Sequence, residues 1–289
     1  MPCLQVGLPD VSLSGPKTAK NQKGALIASA DGILTHTPSP DSECYTQDGY
    51  DSQFSSNIAL GIRGSAAIDG YMDDFGDNNV EVGHRRWFVY PRLGEVGIGD
   101  VGSSGDMKAG SVWVIGDFEA RPSSPSYIAW PPAGYVPYQL MPTSKRWSLS
   151  WNNANFASAT VSVRDAANKA LSVTVTTRGS GAGDAAIVFE VNNYPGGRPL
   201  AGDLTYSVSI KNIVVDASTQ DVEYIVRVLD TNPPGTCWLA TSDIYRTSHV
   251  PDAGETCEEV QLAGRSGINS FVNDQYTFQR YEQGIPIYE

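Results

Sequence analysis

Hydrophobic positions follow two different rhythms along this chain. Between Lys17 and Leu34 they fall at Leu26, Ile27, Ala30, Ile33 and Leu34, the spacing of one stripe on an amphipathic helix. Pro16 stands where such a helix starts, and Thr37-Pro38-Ser39-Pro40 stops it. A second, shorter helix is expected over Ser65–Asp73, with Ala66, Ala67 and Tyr71 free to pack. Gly76-Asp77-Asn78-Asn79 reads as a turn, since Asn and Gly tolerate left-handed backbone. Trp87-Phe88-Val89-Tyr90 reads as a buried strand or helix segment cut by Pro91, and Val96–Ile98 and Val112–Ile115 read as strands separated by a Gly/Ser loop.

The second rhythm is strict alternation. Trp147, Leu149 and Trp151 begin it, and Val161/Val163, Leu171/Val173/Val175 and Ile187/Phe189/Val191 continue it. Leu204/Tyr206/Val208/Ile210 and Val222/Tyr224/Val226/Val228 follow. Period-two runs separated by turns such as Arg178-Gly179-Ser180-Gly181 are strands with one face buried. Too little chain separates them for helices, so they predict an antiparallel sandwich of immunoglobulin or fibronectin type. Between the two rhythms, Ala129-Trp130-Pro131-Pro132-Ala133-Gly134-Tyr135-Val136-Pro137-Tyr138 is proline-rich and reads as an ordered connector. The expected organisation is therefore a first domain over 1–120, a connector over 121–145, a β-sandwich over 146–230 and an irregular region over 231–289.

A chain of 289 residues is long enough for two domains. Its 20 Lys+Arg against 32 Asp+Glu give a net charge of −12, which argues against nucleic-acid phosphate as a partner. No apolar run is long enough to span a bilayer. Met1–Asp10 shows no charged segment followed by an apolar one, so the chain reads either as a cytosolic protein or as the mature form of an exported one. Cys3, Cys44, Cys237 and Cys257 form no CxxC pair and fit no common zinc spacing. Cys237 with Cys257, and Cys3 with Cys44, are possible disulfides among three connectivities.

The chemistry concentrates between residues 36 and 100. Gly83-His84-Arg85-Arg86-Trp87-Phe88-Val89-Tyr90-Pro91-Arg92 is followed by Val96-Gly97-Ile98-Gly99. Upstream lie Ile33-Leu34-Thr35-His36, Ser56-Asn57-Ile58-Ala59-Leu60-Gly61 and Ala67-Ile68-Asp69-Gly70-Tyr71-Met72. In order and spacing these four pieces resemble the CAP superfamily of cysteine-rich secretory, venom-antigen and pathogenesis-related proteins, specifically bacterial extracellular members with a GHRRW motif. The resemblance covers residues 16 to 118. It implies an α+β chain: an α-β-α sandwich with a shallow cleft, followed here by the all-β immunoglobulin/fibronectin-like sandwich. It also implies secretion, and places His36 and His84 in the cleft. Where the family commonly holds two glutamates, this sequence has Ser56 and Asp69.

Two neutral imidazoles with a carboxylate could ligate zinc or another divalent metal, or they could face each other across a water-filled cleft. His36, His84 and Asp69 are accordingly the catalytic candidates, with His36 and His84 as metal ligands. Ser56, Asn57, Arg85 and Trp87 are the candidates for contacting a ligand. Arg85, Arg86 and Arg92 could equally pair with Asp69, Asp73, Asp74 and Glu95, and Trp87, Trp113 and Trp130 could fill cores and seams. Three functions fit: binding of an extracellular ligand, glycan or protein through the cleft; hydrolysis of polysaccharide or cell-wall material; and a structural surface role.

Overall fold

The computed structural model describes residues 6–102, 107–192, 199 and 202–229, together with the backbone of three short C-terminal strands. It is an α+β chain dominated by sheets. Strand β1 (Ser12–Leu13) leads into helix α1 (Gly15–Asp31), followed by α2 (Gln47–Ser55), β2 (Ser56–Leu60), α3 (Ser65–Asp73), α4 (Gly83–Phe88), β3 (Glu95–Val101) and β4 (Ala109–Trp113). These strands form one sheet in the order β1-β3-β4-β2.

Ser14 caps α1 by accepting the Lys17 N–H, and Gly32 ends it in left-handed backbone at φ 64°, its N–H on the Ala28 carbonyl. The helix therefore stops three residues short of the expected Leu34. Its buried face is Lys17, Asn21, Gly24, Ala25, Ile27 and Ala28, whereas Leu26, Ile33 and Leu34 are exposed. This face lies directly on β3. A Cβ added at Gly97 would sit 2.5 Å from Lys17, and one at Gly99 would strike the Asn21 carbonyl. Asp100 and Gly110 are cross-strand partners, and Gly110 meets Ala67 of α3. Neighbouring residues of a strand point to opposite faces, so α1 and α3 sandwich the sheet between them.

The strands between residues 127 and 229 build two facing sheets. One has the order β10 (Val173–Gly179), β11 (Ala185–Val191), β7 (Arg146–Trp151), β5 (Tyr127–Trp130). The other runs β6 (Gly134–Pro137), β13 (Ser218–Leu229), β12 (Leu204–Val215), which pairs with both β8 (Ala154–Asn155) and β9 (Thr160–Asp165). The alternating residues meet in one core: Trp147, Leu149, Ile187, Phe189, Tyr206, Val208, Ile210, Val226 and Val228 among others. Register sets them side by side within each sheet, with Phe189 beside Trp147 and Val208 beside Tyr224. Strands β14 (Glu259–Gln261), β15 (Gln275–Glu282) and β16 (Ile285–Tyr288) form a separate antiparallel sheet.

The expected connector over 121–145 is corrected here. Its proline-rich run contributes β5, antiparallel to β7, and β6, parallel to β13. Ile128, Ala129, Trp130 and Val136 are buried, so the prolines turn the chain from one sheet to the other rather than linking two bodies. Among the described residues no helix is long and apolar enough to cross a membrane. Cys44 is an exposed free thiol; Cys3, Cys237 and Cys257 lie outside the described residues.

Candidate functional site

Helix α3 ends at Asp74, in left-handed backbone at φ 53°, with its N–H on the Gly70 carbonyl. That reversal turns the Asp74 side chain inward, where it is completely buried. One carboxylate oxygen lies 2.7 Å from His84 Nδ1, and the other accepts the Arg85 N–H at 3.3 Å. An ionised carboxylate only accepts, so Nδ1 carries the proton and Nε2 presents a lone pair. The ring is 27% exposed and rests on Tyr71 at a centroid distance of 5.5 Å. Burial drives the Tyr71 hydroxyl upward in pKa, and as a neutral donor it lies within 3.2 Å of the Asn57 and Gly110 carbonyls.

His36 is exposed, and its Nδ1 lies 2.6 Å from the Gln53 carbonyl. A carbonyl also only accepts, so here too Nδ1 is the donor. The two rings are tied to one segment of chain. His36 binds Gln53 at the end of α2, and Asn57 on β2 donates to the His84 carbonyl at 2.9 Å. Three residues separate these anchors, a span of at most about 14 Å of fully extended chain. No hydrogen bond links His36 to His84.

Asp69 lies elsewhere. Ala67 and Tyr71 of α3 are buried, and residue 69 falls about 200° from each on a helix, so its carboxylate is exposed on the opposite face. The acid that serves His84 is Asp74, which the sequence reading assigned no such role. Ser56 is buried, with its hydroxyl 3.4 Å from Asn21 Oδ1, and touches no open surface. Asn57 is likewise buried and acts through the His84 backbone. Trp87 stacks on Phe118 at 5.8 Å and meets Tyr90 edge-on.

Arg85 is also corrected as a ligand contact. It is fully buried, with Nε on the Met72 carbonyl at 2.5 Å, Nη2 on the Asp73 carbonyl at 2.9 Å and Nη1 on the Arg146 carbonyl at 2.8 Å. Burial lowers its pKa to about 10, opposed by Asp74 and Asp73, so it stays charged at neutral pH. Arg86 donates to the Asp184 carbonyl at 2.7 Å. In return Arg146, on β7, donates to the Asp74 and Gly76 carbonyls at 2.9 and 2.8 Å. The arginines of the GHRRW run thus fasten residues 72–86 to the facing sheets, and Arg146 holds the backbone of the acid that orients His84. Arg92 alone keeps to the periphery, on the Glu119 carbonyl.

Among the described residues no three His, Cys, Asp or Glu side chains converge to hold a metal. Both Asp74 oxygens are engaged internally and Asp69 faces away. Two imidazole nitrogens fall short of the three protein ligands of a catalytic zinc centre, so no chemistry is routed through a metal.

No protein-family model matches the chain, and no curated protein matches it. Among solved structures, CopC from Methylosinus trichosporium OB3b is similar, with 13% identity over 36% of this chain and 92% of that one and a TM-score of 0.25. A TM-score that low carries no argument about fold or function.

Proposed function

We propose that this is a secreted CAP-type protein that binds an extracellular glycan or protein through the surface where His36 and His84 present Nε2. In this reading residues 6–120 form the α-β-α unit and residues 127–229 an immunoglobulin-type sandwich. The strand orders support the second part. Lettered in chain order, with β5 and β6 as the two halves of A, one sheet runs D-E-B-A and the other A-G-F-C.

The observation that carries the functional reading is the Asp74–His84 pair. A fully buried carboxylate on Nδ1 fixes the orientation of a ring that is itself 27% exposed, which is how proteins prepare an imidazole to accept a hydrogen bond or a proton. Histidine-ring NMR during titration with soluble chitin- and peptidoglycan-derived oligosaccharides tests it. His36 and His84 should shift with saturation, and Asp74→Asn should weaken binding about tenfold or more. Binding unchanged in both Asp74→Asn and His84→Ala would refute the site.

Hydrolysis of the same material is a second reading, favoured by the same pair because an acid-oriented histidine is a competent general base. Release of reducing ends from a polysaccharide panel, lost in His84→Ala, would select it over simple binding.

A further inference from the structure

The seam between the two halves is apolar at its centre, where Leu8, Met72 and Val89 pack against Ile128 and Trp130. On the α3 side this cluster does not close. A groove of about 420 Å³ opens there, walled by Ile62, Met72 and Phe75 from one half and Trp130, Leu140 and Met141 from the other. That volume lies in the range of small-molecule sites, which are mostly apolar with a few placed polar groups. His84 does not line it.

Two carboxylates border the groove, Asp69 and Asp73. Asp73 is already engaged: its oxygens accept the Thr143 hydroxyl and the Ser144 N–H. Asp69 is exposed and has no hydrogen-bond or ion-pair partner among the described residues. The Phe75 ring, 58% exposed, offers its apolar surface beside them. Gly70 lies in the same wall, where an added Cβ would stand 3.0 Å from Ile62 Cδ1, so even a methyl there would narrow the groove.

Apolar walls exclude a strongly hydrated ion, and one unpartnered carboxylate selects the sign of charge on whatever enters. We infer that this groove binds an organic cation, a single ammonium on an apolar chain or ring, with the apolar part against Met72, Trp130 and Met141 and the nitrogen at Asp69. A protein of net charge −12 also raises the local concentration of such cations. The ligand bridges both halves, so its site exists only while the seam is assembled.

Isothermal titration of the whole chain with alkylammonium ions, below their micelle concentrations, tests the inference. Affinity should rise about threefold to fourfold per added methylene until the groove is filled. Octylammonium should bind up to about fivefold tighter than 1-octanol, the range of an exposed ion pair, and octanoate should bind more weakly than either. Asp69→Asn, on the exposed face of α3, should erase the preference for the cation and leave octanol binding intact. Ala66→Trp, from an exposed position on the groove wall, should block both ligands while the thermal melt stays native. Equal affinity for octylammonium and octanoate would overturn the inference. So would octylammonium binding undiminished in a natively melting Ala66→Trp protein, or no saturable octylammonium binding at all.

Discussion

Replacing Arg85 by Met removes a buried fork and little volume. The guanidinium serves the carbonyls of Met72, Asp73 and Arg146, and Met can bond none of them. Hydrogen bonds from a charged donor are each worth about 1.5–3 kcal/mol, but they share one desolvated cation and do not add. Breaking a buried ionic network by removing one member costs about 3–5 kcal/mol. A loss of about 4 kcal/mol is a large share of the usual stability of about 5–15 kcal/mol. At roughly 2–4 °C per kcal/mol for a protein of this size, the melting temperature should fall by about 8–16 °C. Arg85→Lys should fall between, because an ammonium keeps the charge but cannot span three carbonyls at fixed angles. Arg92→Met is the internal control: Arg92 reaches one exposed carbonyl, that of Glu119, and a partly exposed ring, Phe118, so its loss should stay within about 1 kcal/mol. Calorimetry of the three variants decides. An Arg85→Met protein melting within 2 °C of the Arg92→Met protein would show that the seam does not depend on this cation.

Gly99→Ala should destabilise more than any exposed Gly→Ala change, by about 1–3 kcal/mol or more in denaturant melts, because its Cβ meets the α1 backbone. In spectrophotometric alkaline titration, burial holds Tyr206 up to about 12 and raises Tyr71 and Tyr224 further. The unfolded chain loses these protons near pH 10, so the stability they lend is full below that pH and drains away through 12. A single ionisation step near 10 with the fold retained would contradict this. Zinc added to chelator-treated protein should leave the melting temperature unchanged within about 1 °C, whereas saturation of a zinc centre would raise it by several degrees. A fragment starting at Ser144 should fail to fold, because it lacks β5 and β6, whereas one starting near Ser123 retains them; circular dichroism melts distinguish the two.

The sandwich was readable because apolar side chains alternate with polar ones over six runs, and each run became a strand facing one core. The N-terminal half hid more. On α1 Leu26 points to solvent, as do Ile33 and Leu34 just beyond its end, while the face that packs has Ile27 as its one large apolar residue beside Lys17, Asn21, Gly24, Ala25 and Ala28. Small and polar residues at a close helix–sheet contact leave no hydrophobic signature. Helix α2 escaped for a similar reason: its signal is the Thr46 cap on the Gly49 N–H, not a stripe. The position of Asp69 was legible from helical phase, since Ala67 and Tyr71 can face inward only if residue 69 faces out. Asp74 was not, because a left-handed aspartate at a helix end is unusual and its inward turn depends on Arg85 and Arg146. In the sequence Arg85 reads as a partner for nearby acids and Arg146 carries no signal, and only the fold shows both bonded to carbonyls from distant parts of the chain.

Parallel pairing of β6 with β13 sets an order for the making of this protein. Val136 lies against Val228, so an early piece of the sandwich waits for its neighbour until some ninety residues later have emerged. At about 5–20 residues per second that interval is roughly 5–20 s. For about the first half of it, until Asp184 has emerged, Arg85 and Arg86 lack their acceptors at Arg146 and Asp184 in a paired sheet, leaving two cations beside bare apolar surface at Met72 and Val89. The nascent N-terminal half is therefore the moment of greatest exposure in the life of the chain. A chaperone that shields apolar surface flanked by positive charge would find its substrate there, and would lose it when β11 completes the sheet that carries β5 and β7.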